Sequence, residues 1–269
     1  MSLLIHSMSE FSDLILKILA AADARNVAEI GAEFGGMSAH LAAYTAQRGA
    51  TLTSIDPAPK PEFRDWLAQT PHVRHIAQPS LTALDDTGDI DAWVIDGDHN
   101  WFTVYNELHR IDAISRRDEK PLLVLLHDVG WPWARRDLYY APAQIPEAFR
   151  QPFCFDSGVM LGQTEAIPHR GFRGMGQFAV ATHEGGPRNG VKTAIEDFCG
   201  DKLNAGADLA YAEVPAVFGL GVLFALDAPW TGAVADIVTP YHQNRLLARL
   251  EENRLANYLA VIEWQDRAG

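Results

Sequence analysis

Short, mostly apolar segments recur through the first half of the chain, and three of the five are followed directly by a glycine or an aspartate. They lie at residues 27–30, 51–55, 73–77, 92–95 and 122–126, and patterns of helical period separate most of them, including 37–48, 62–69 and 101–111. Alternation of strand and helix predicts a mainly parallel sheet with helices on both faces. In such sheets, ligands bind at the carboxyl ends of the strands.

The second half of the chain extends this pattern after an interruption. Residues 130–176 lose periodicity while Pro, Gly, Trp and Tyr accumulate, which predicts a lid insertion after strand five. Apolar segments at 178–181 and 217–226 then bring the expected sheet to seven strands. We expect residues 1–269 to form one α/β domain that ends in an amphipathic helix.

The charge of the chain restricts its partners. A net charge of −13 and a pI near 5.1 oppose contact with phosphate backbones and anionic lipid, so we expect neither nucleic acid nor a membrane as a partner. The longest aliphatic run, residues 122–126, is far too short to cross a bilayer. With no basic leader at the start and only two cysteines, the expected compartment is the cytoplasm, and a homo-oligomer stays open.

The turn after the first predicted strand contains Gly31, Gly35 and Gly36, preceded by Glu29. This G-x-x-x-G-G spacing differs from the G-x-G-x-x-G turn that receives a pyrophosphate in dinucleotide sites. Asp56 follows the second strand, where a carboxylate can accept hydrogen bonds from both ribose hydroxyls. Together these features favour a ligand that contains a nucleoside but no phosphate.

In these motifs the chain resembles the class I methyltransferases, which have a Rossmann-like fold and use S-adenosylmethionine. By this resemblance Glu29, Gly31 and Gly35 belong to the first cofactor motif, and Asp56 is the acid that binds the ribose. Ser38 would face the methionine carboxylate. Ser80, after the third strand, would lie near the adenine, with a helix N-cap as its equally supported alternative.

Acidic residues and histidines follow the fourth and fifth predicted strands. Asp96 and His99 lie in the sequence Ile-Asp-Gly-Asp-His, and His127 and Asp128 end the next strand. If the two strands are neighbours, Asp96, His127 and Asp128 converge beside the cofactor cleft, where Mg²⁺ or Mn²⁺ would relieve the repulsion between the acids. The alternative is that Asp96 and Asp98 only cap the following helix, with His99 and His127 as hydrogen-bonded structural residues.

These residues make the chain resemble a subgroup that contains macrolide-sugar O-methyltransferases and cephalosporin-hydroxylase-like proteins, which bind Mg²⁺ at these two strand ends. The resemblance covers about residues 27–129. It implies Asp96, His127 and Asp128 as metal ligands and His99 as the general base, with Asp96 also beside the cofactor. His127 stands where the subgroup usually has an acid.

The sequence thus predicts an O-methyltransferase, assisted by a divalent metal, that acts on a hydroxyl of a small metabolite such as a sugar or a glycosylated natural product. Aromatic residues between 131 and 140 could stack on a ring of this acceptor, although loop packing explains them equally well. Two other classes remain as alternatives. One is a noncatalytic binding protein on the same fold, and the other is a nicotinamide-dependent oxidoreductase.

Overall fold

A computed structural model describes residues 6–268 of the chain. Its main sheet contains seven strands in the order β6-β7-β5-β4-β1-β2-β3, and β7 runs antiparallel to both of its neighbours. The sheet therefore confirms a mainly parallel, Rossmann-like methyltransferase architecture. The strands are β1 (Val27–Ile30), β2 (Leu52–Ile55), β3 (Val73–Ile76), β4 (Ala92–Ile95), β5 (Leu123–His127), β6 (Leu209–Val214) and β7 (Leu220–Ala225).

Helices cover both faces of this sheet. One face is packed by α5 and α6, which contact each other, and the other by α1, α2 and α7. The apolar stripe of each helix therefore lies on a buried sheet face, as the helical periodicity predicts. The helices are α1 (Ser12–Ala21), α2 (Gly36–Gln47), α3 (Pro61–Leu67), α4 (Ser80–Ala83), α5 (Trp101–Arg117), α6 (Val191–Asn204), α7 (Thr231–Val238) and α8 (Arg245–Ala268).

The register of the central strands aligns their carboxyl ends. Ile30 at the end of β1 pairs with Ile55 of β2 on one side and with Ile95 of β4 on the other. All residues of these three strands are buried, which explains why they are nearly continuous apolar runs. The residues that follow each strand therefore emerge at one edge of the sheet.

The insertion between β5 and α6 has small sheets of its own. Strands Leu138–Tyr139, Ala179–Ala181 and Phe153–Cys154 form one, and Ser157–Gly158 pairs with Ile167–Pro168 in another. The expectation that residues 178–181 belong to the main sheet was therefore wrong. The sixth strand is β6, which the apolar pattern did not reveal because it is a half-exposed edge strand.

Buried polar side chains fix this insertion to the body of the protein. The Arg136 side chain, only 1% exposed, donates hydrogen bonds of 2.6 Å to the main-chain oxygens of Ala181 and Thr164. The Asp137 carboxylate accepts from the main-chain N–H groups of Trp101 and Gly190, both at 2.7 Å.

Among residues 6–268 no helix combines the length and apolarity needed to span a membrane.

Candidate active site

The turn between β1 and α2 begins at Gly31, whose φ is +89°. A Cβ atom there would come within 2.2 Å of the main-chain oxygen of Asp96, so only glycine lets this turn lie against the turn after β4. Gly35, with a φ of +84°, is the N-cap of α2. Gly31 thus brings the β1 and β4 ends together, as a shared cleft requires.

Glu29 and Ser38 lie behind this turn. Glu29 is 2% exposed and accepts hydrogen bonds from the hydroxyls of Ser38 (2.5 Å) and Ser54 (3.2 Å). Burial raises the pKa of Glu29 to about 8, although the two hydrogen bonds oppose this effect. The Ser38 hydroxyl thus binds Glu29 inside the protein, where the resemblance placed it on the methionine carboxylate. Any contact of Ser38 with that carboxylate would involve its main chain.

Asp56 is bonded to the same turn. One of its carboxylate oxygens accepts from the main-chain N–H groups of Ala32 (2.9 Å) and Glu33 (3.0 Å), and the other accepts from that of Ala58 (2.8 Å). A carboxylate offers about four acceptor positions. Asp56 is only partly buried, so one position stays open to a ribose hydroxyl.

Ser80 is the first residue of the short helix α4, and Pro79 occupies the N-cap position. The alternative interpretation of Ser80 as an N-cap was therefore wrong. Ser80 lies next to Glu107 of α5. Burial raises the pKa of the Glu107 carboxyl group to about 8. The structure thus places Ser80 beside a buried polar group on the side of the cleft formed by β3.

The histidines and acids after β4 and β5 form one cluster, because these strands are parallel neighbours. The Nδ1 atom of His99 lies 3.0 Å from the Asp128 carboxylate. The Nδ1 atom of His127 lies 3.0 Å from the Asp96 carboxylate and 3.5 Å from that of Asp128. All four side chains predicted from sequence are therefore brought together.

His127 is committed to other groups. Its Nε2 atom donates to the main-chain oxygen of Val217 at 2.9 Å, while Nδ1 faces Asp96. Burial lowers the pKa of His127, but the nearby Asp96 and Asp128 outweigh burial and raise it well above its usual value. An imidazolium that donates from both nitrogens has no lone pair for a metal. Both nitrogens of His127 are therefore engaged in this structure, and its role as a metal ligand stays a prediction.

A different set of donors is close enough to share a cation. Asp96, His99 and Asp128 each offer one donor atom within 4.8 Å of the others. Among the described residues, the Asp128 Oδ1 atom is buried without a hydrogen-bond partner. Burial raises the pKa of Asp128, but His127 and His99 lower it well below its usual value. An ionised carboxylate with an unused oxygen suits a divalent cation.

Asp128 itself has an unusual backbone. Its φ of +62° lies in the left-handed region, which costs free energy for a residue with a side chain. In this conformation the buried carboxylate lies 3.0 Å from Nδ1 of His99. Burial lowers the pKa of His99, but the charge of Asp128 and its hydrogen bond more than compensate, so the net shift is upward.

The capping alternative for Asp96 and Asp98 was wrong. The Asn100 side chain caps α5, accepting from the main-chain N–H of Thr103 at 2.8 Å. Asp98 accepts instead from the hydroxyl of Thr103 at 3.1 Å. Asp96 is therefore free of helix capping and faces His127.

Among the aromatic residues between 131 and 140, most are packed and one ring is exposed. Trp133 and Tyr139 are 1% exposed and belong to apolar clusters. Tyr140 is 53% exposed, and its ring centroid lies 6.0 Å from that of His99. Loop packing thus explains most of this segment, and Tyr140 alone presents an aromatic face beside the cluster.

His6 is a neighbour of the cluster that sequence reasoning missed. Its ring packs edge-on against Phe218 with centroids 4.9 Å apart. Burial lowers its pKa, and Asp128 partly offsets this effect, so the two side chains influence each other. No motif or periodicity marks His6 in the sequence, because its place depends on how the N-terminal segment folds back over β5.

Comparison with known proteins finds a family model that matches this part of the chain. Residues 28–129 match the family model of a methyltransferase domain. None of the curated proteins is significantly similar to the chain in sequence. The match spans nearly all of β1 to β5 and includes the residues of the candidate site.

Similar solved structures include an O-methyltransferase from Bacillus cereus in complex with S-adenosylhomocysteine (SAH), 13% identical, with a TM-score of 0.47, covering 82% of this chain and 83% of that one. An SAH-bound methyltransferase from Podospora anserina is also 13% identical, with a TM-score of 0.46, covering 80% of this chain and 78% of that one.

Proposed function

We propose that this S-adenosylmethionine-dependent methyltransferase transfers its methyl group to a hydroxyl of a small metabolite, such as a sugar or a glycosylated natural product. The observation that carries the proposal is the pair formed by His99 and Asp128 at 3.0 Å, next to Asp96 at the carboxyl edge of the sheet. A neutral hydroxyl needs a base before it can attack, and this pair supplies one.

In this mechanism the two nitrogens of His99 have different tasks. Nδ1–H donates to Asp128, which fixes the tautomer and leaves Nε2 to accept the proton of the acceptor hydroxyl. The acceptor oxygen forms a bond to the methyl carbon while the bond from that carbon to sulfur breaks, giving a methyl ether and SAH. Asp128 then stabilises the imidazolium, and the proton leaves to solvent when the product dissociates.

The cofactor would lie across the ends of β1, β2 and β4. We assign the ribose to the open acceptor position of Asp56, the methionine end to the main chain of the Gly31 turn and the adenine to the side of Ser80. Tyr140 would then cover the acceptor, because its exposed ring stands beside His99.

A divalent cation, Mg²⁺ or Mn²⁺, fits the carboxylates of Asp96 and Asp128. The unpartnered Oδ1 atom of Asp128 supports this assignment, since a buried anionic oxygen without a partner is costly. When bound, such an ion lowers the pKa of a coordinated hydroxyl. His127, fixed between Asp96 and Val217, keeps the Asp96 carboxylate in place.

The test combines cofactor binding with turnover. Calorimetry should detect SAH binding and no NADPH binding, and mass spectrometry should detect methylation in a panel of sugars and glycosylated phenols. His99→Gln should retain SAH binding but lose on the order of 100-fold in kcat. His40→Gln, an exposed histidine of α2, is the matched control and should keep the wild-type rate.

Other outcomes would assign the site differently. SAH binding without turnover on any hydroxylated acceptor would favour a noncatalytic binding protein. Full activity of His99→Gln would show that His99 is not the general base. If His99→Gln instead abolished Mn²⁺ binding, measured by calorimetry, His99 would be a third metal ligand alongside Asp96 and Asp128.

A further inference from the structure

The C-terminal helix α8 is apolar on two opposite faces. One face packs on the protein through Leu255 and Leu259, which are 2% and 3% exposed. The opposite face carries Leu246, Leu250, Val261 and Trp264, exposed by 68%, 55%, 55% and 71%. A surface helix normally has a polar outer face, so this second apolar face calls for a partner.

The exposed residues form one straight stripe, which we call the outer stripe. Its members are all exposed. Six of them follow one another at alternating intervals of four and three residues and Val261 lies beside them, which places all seven within about 100° of arc. Such spacing is that of a helix that pairs along its length with another helix. The outer stripe consists of Leu246, Leu250, Asn253, Asn257, Ala260, Val261 and Trp264.

The outer stripe is also symmetric about residue 255. An antiparallel copy of α8 would set Leu246 against Trp264 and Leu250 against Ala260 and Val261. Its middle would set Asn253 against Asn257, whose amides can hydrogen-bond to each other. In a twofold interface, when one residue contacts a second residue of the other copy, that second residue contacts the first in return. The pairs of the outer stripe meet this requirement.

Charge favours a second copy over a membrane surface as the occupant. The polar residues flanking the outer stripe carry both signs, with Arg245, Arg249 and Arg267 beside Glu252 and Glu263. A membrane-binding helix is instead rich in Lys and Arg on its polar face. The net charge of −13 would also repel anionic lipid.

Hydrogen bonds and ion pairs attach α8 to the body of the protein on the side opposite the outer stripe. Arg173 binds Asp266 through two hydrogen bonds of 2.8 and 2.6 Å, and Arg170 forms an ion pair with Glu263. Glu251 accepts from the main-chain N–H of Phe218 at 3.0 Å. These contacts hold both ends of a helix about 36 Å long, so the outer stripe is presented as one straight surface.

We propose that the protein is a homodimer in which α8 pairs antiparallel with α8 of a second copy through the outer stripe. Light scattering after gel filtration at micromolar concentration should give twice the 29.6 kDa mass of one chain. Leu250→Glu with Val261→Glu should raise the dimer dissociation constant at least about 100-fold, because each carboxylate would be buried unpaired. Leu203→Glu, which changes an exposed leucine of α6, should leave the dimer intact.

A crosslinking experiment tests the direction of pairing without altering the apolar residues. In a Cys154→Ser, Cys199→Ser background, differently tagged Asn253→Cys and Asn257→Cys chains are mixed and oxidised. Antiparallel pairing predicts mixed crosslinks in excess of those between identical chains, whereas parallel pairing predicts the reverse. Four results would each overturn the proposal. The wild-type chain could be monomeric, or the double glutamate variant could keep the mass of a dimer. Identical chains could crosslink in excess, or a monomer could bind neutral or anionic vesicles.

Discussion

The ring of His127 is held against the Asp96 carboxylate, with His127 Nδ1 and Asp96 Oδ1 3.0 Å apart. The other ring nitrogen donates to Val217, so His127 contributes a buried positive charge between two carboxylates. At the position where the resemblance implied a metal ligand, the structure thus has an ion pair internal to the protein.

Replacing His127 with Gln should destabilise the protein by about 3 kcal/mol, because the buried carboxylate of Asp128 and the partly exposed carboxylate of Asp96 would both lose the charge of His127. Added Mg²⁺ or Mn²⁺ should then raise the melting temperature of His127→Gln more than that of the wild type. Urea unfolding and thermal melts with and without metal measure both effects. Equal metal-induced shifts in the two proteins would show that His127 does not compete with a cation.

Glu29 makes stability depend on pH. Its pKa of about 8 in the folded protein exceeds the ordinary value of 4.5, so the folded state keeps a proton that the unfolded chain releases. The stabilisation is complete below about pH 4.5 and is lost as pH rises through about 8, on the order of 4 kcal/mol in total. Glu29→Gln cannot ionise and should lose less stability between pH 5 and pH 8.

Urea unfolding at pH 5 and pH 8 measures this difference. Glu62→Gln, which changes an exposed glutamate of α3, is the control and should show the same pH dependence as the wild type. If Glu29→Gln also showed that pH dependence, Glu29 would be ionised in the folded protein at neutral pH.

The strands that build the site could be predicted closely because their signal is local. β1 and β4 have the predicted bounds, since each is a buried apolar run that ends at a glycine or an aspartate. β6 was missed because Tyr211 and Glu213 interrupt its apolar pattern at the edge of the sheet. Burial on both faces makes a strand readable, and partial exposure removes that signal.

The partners of the site residues could be predicted only in part. Chain order brings Asp96, His99 and Asp128 to one sheet edge, and the topology confirms that β4 and β5 are neighbours. The role of His127 depends on a carbonyl of Val217, 90 residues away, in a turn where Val217 itself has a φ of +47°. No local pattern encodes such a contact, because it arises from how the β6–β7 turn packs on β5.

Asp137 should be essential for the anchoring of the insertion. Its carboxylate accepts from two main-chain N–H groups at 2.7 Å and from the Tyr139 hydroxyl at 2.6 Å. In Asp137→Asn the amide can keep the two main-chain donors only by turning its own NH₂ towards Tyr139. We expect a loss of about 2 kcal/mol and faster amide hydrogen exchange in residues 133–154.

The double variant Asp137→Asn, Tyr139→Phe separates this cause from a general loss of packing. Removing the hydroxyl removes the conflict with the NH₂ group, so the double variant should be more stable than the sum of the two single losses predicts. Strictly additive losses in urea unfolding would show that Tyr139 is not the group Asp137 must satisfy.

Glu107 is a buried acid whose removal should stabilise the protein. It is fully buried on α5, and among the described residues neither of its carboxylate oxygens has a hydrogen-bond partner of ordinary geometry. Burial raises its pKa to about 8, although the nearby Ser80 hydroxyl partly opposes this effect, so the group stays protonated at neutral pH.

Leu is of similar size and has no polar atoms, so Glu107→Leu should gain about 1 kcal/mol in unfolding free energy. Glu107→Gln keeps a polar group there and should gain nothing. A clear loss for Glu107→Leu would mean that the carboxyl group is hydrogen-bonded in solution, and a matching loss of SAH affinity would place its partner on the adenine side of the cleft.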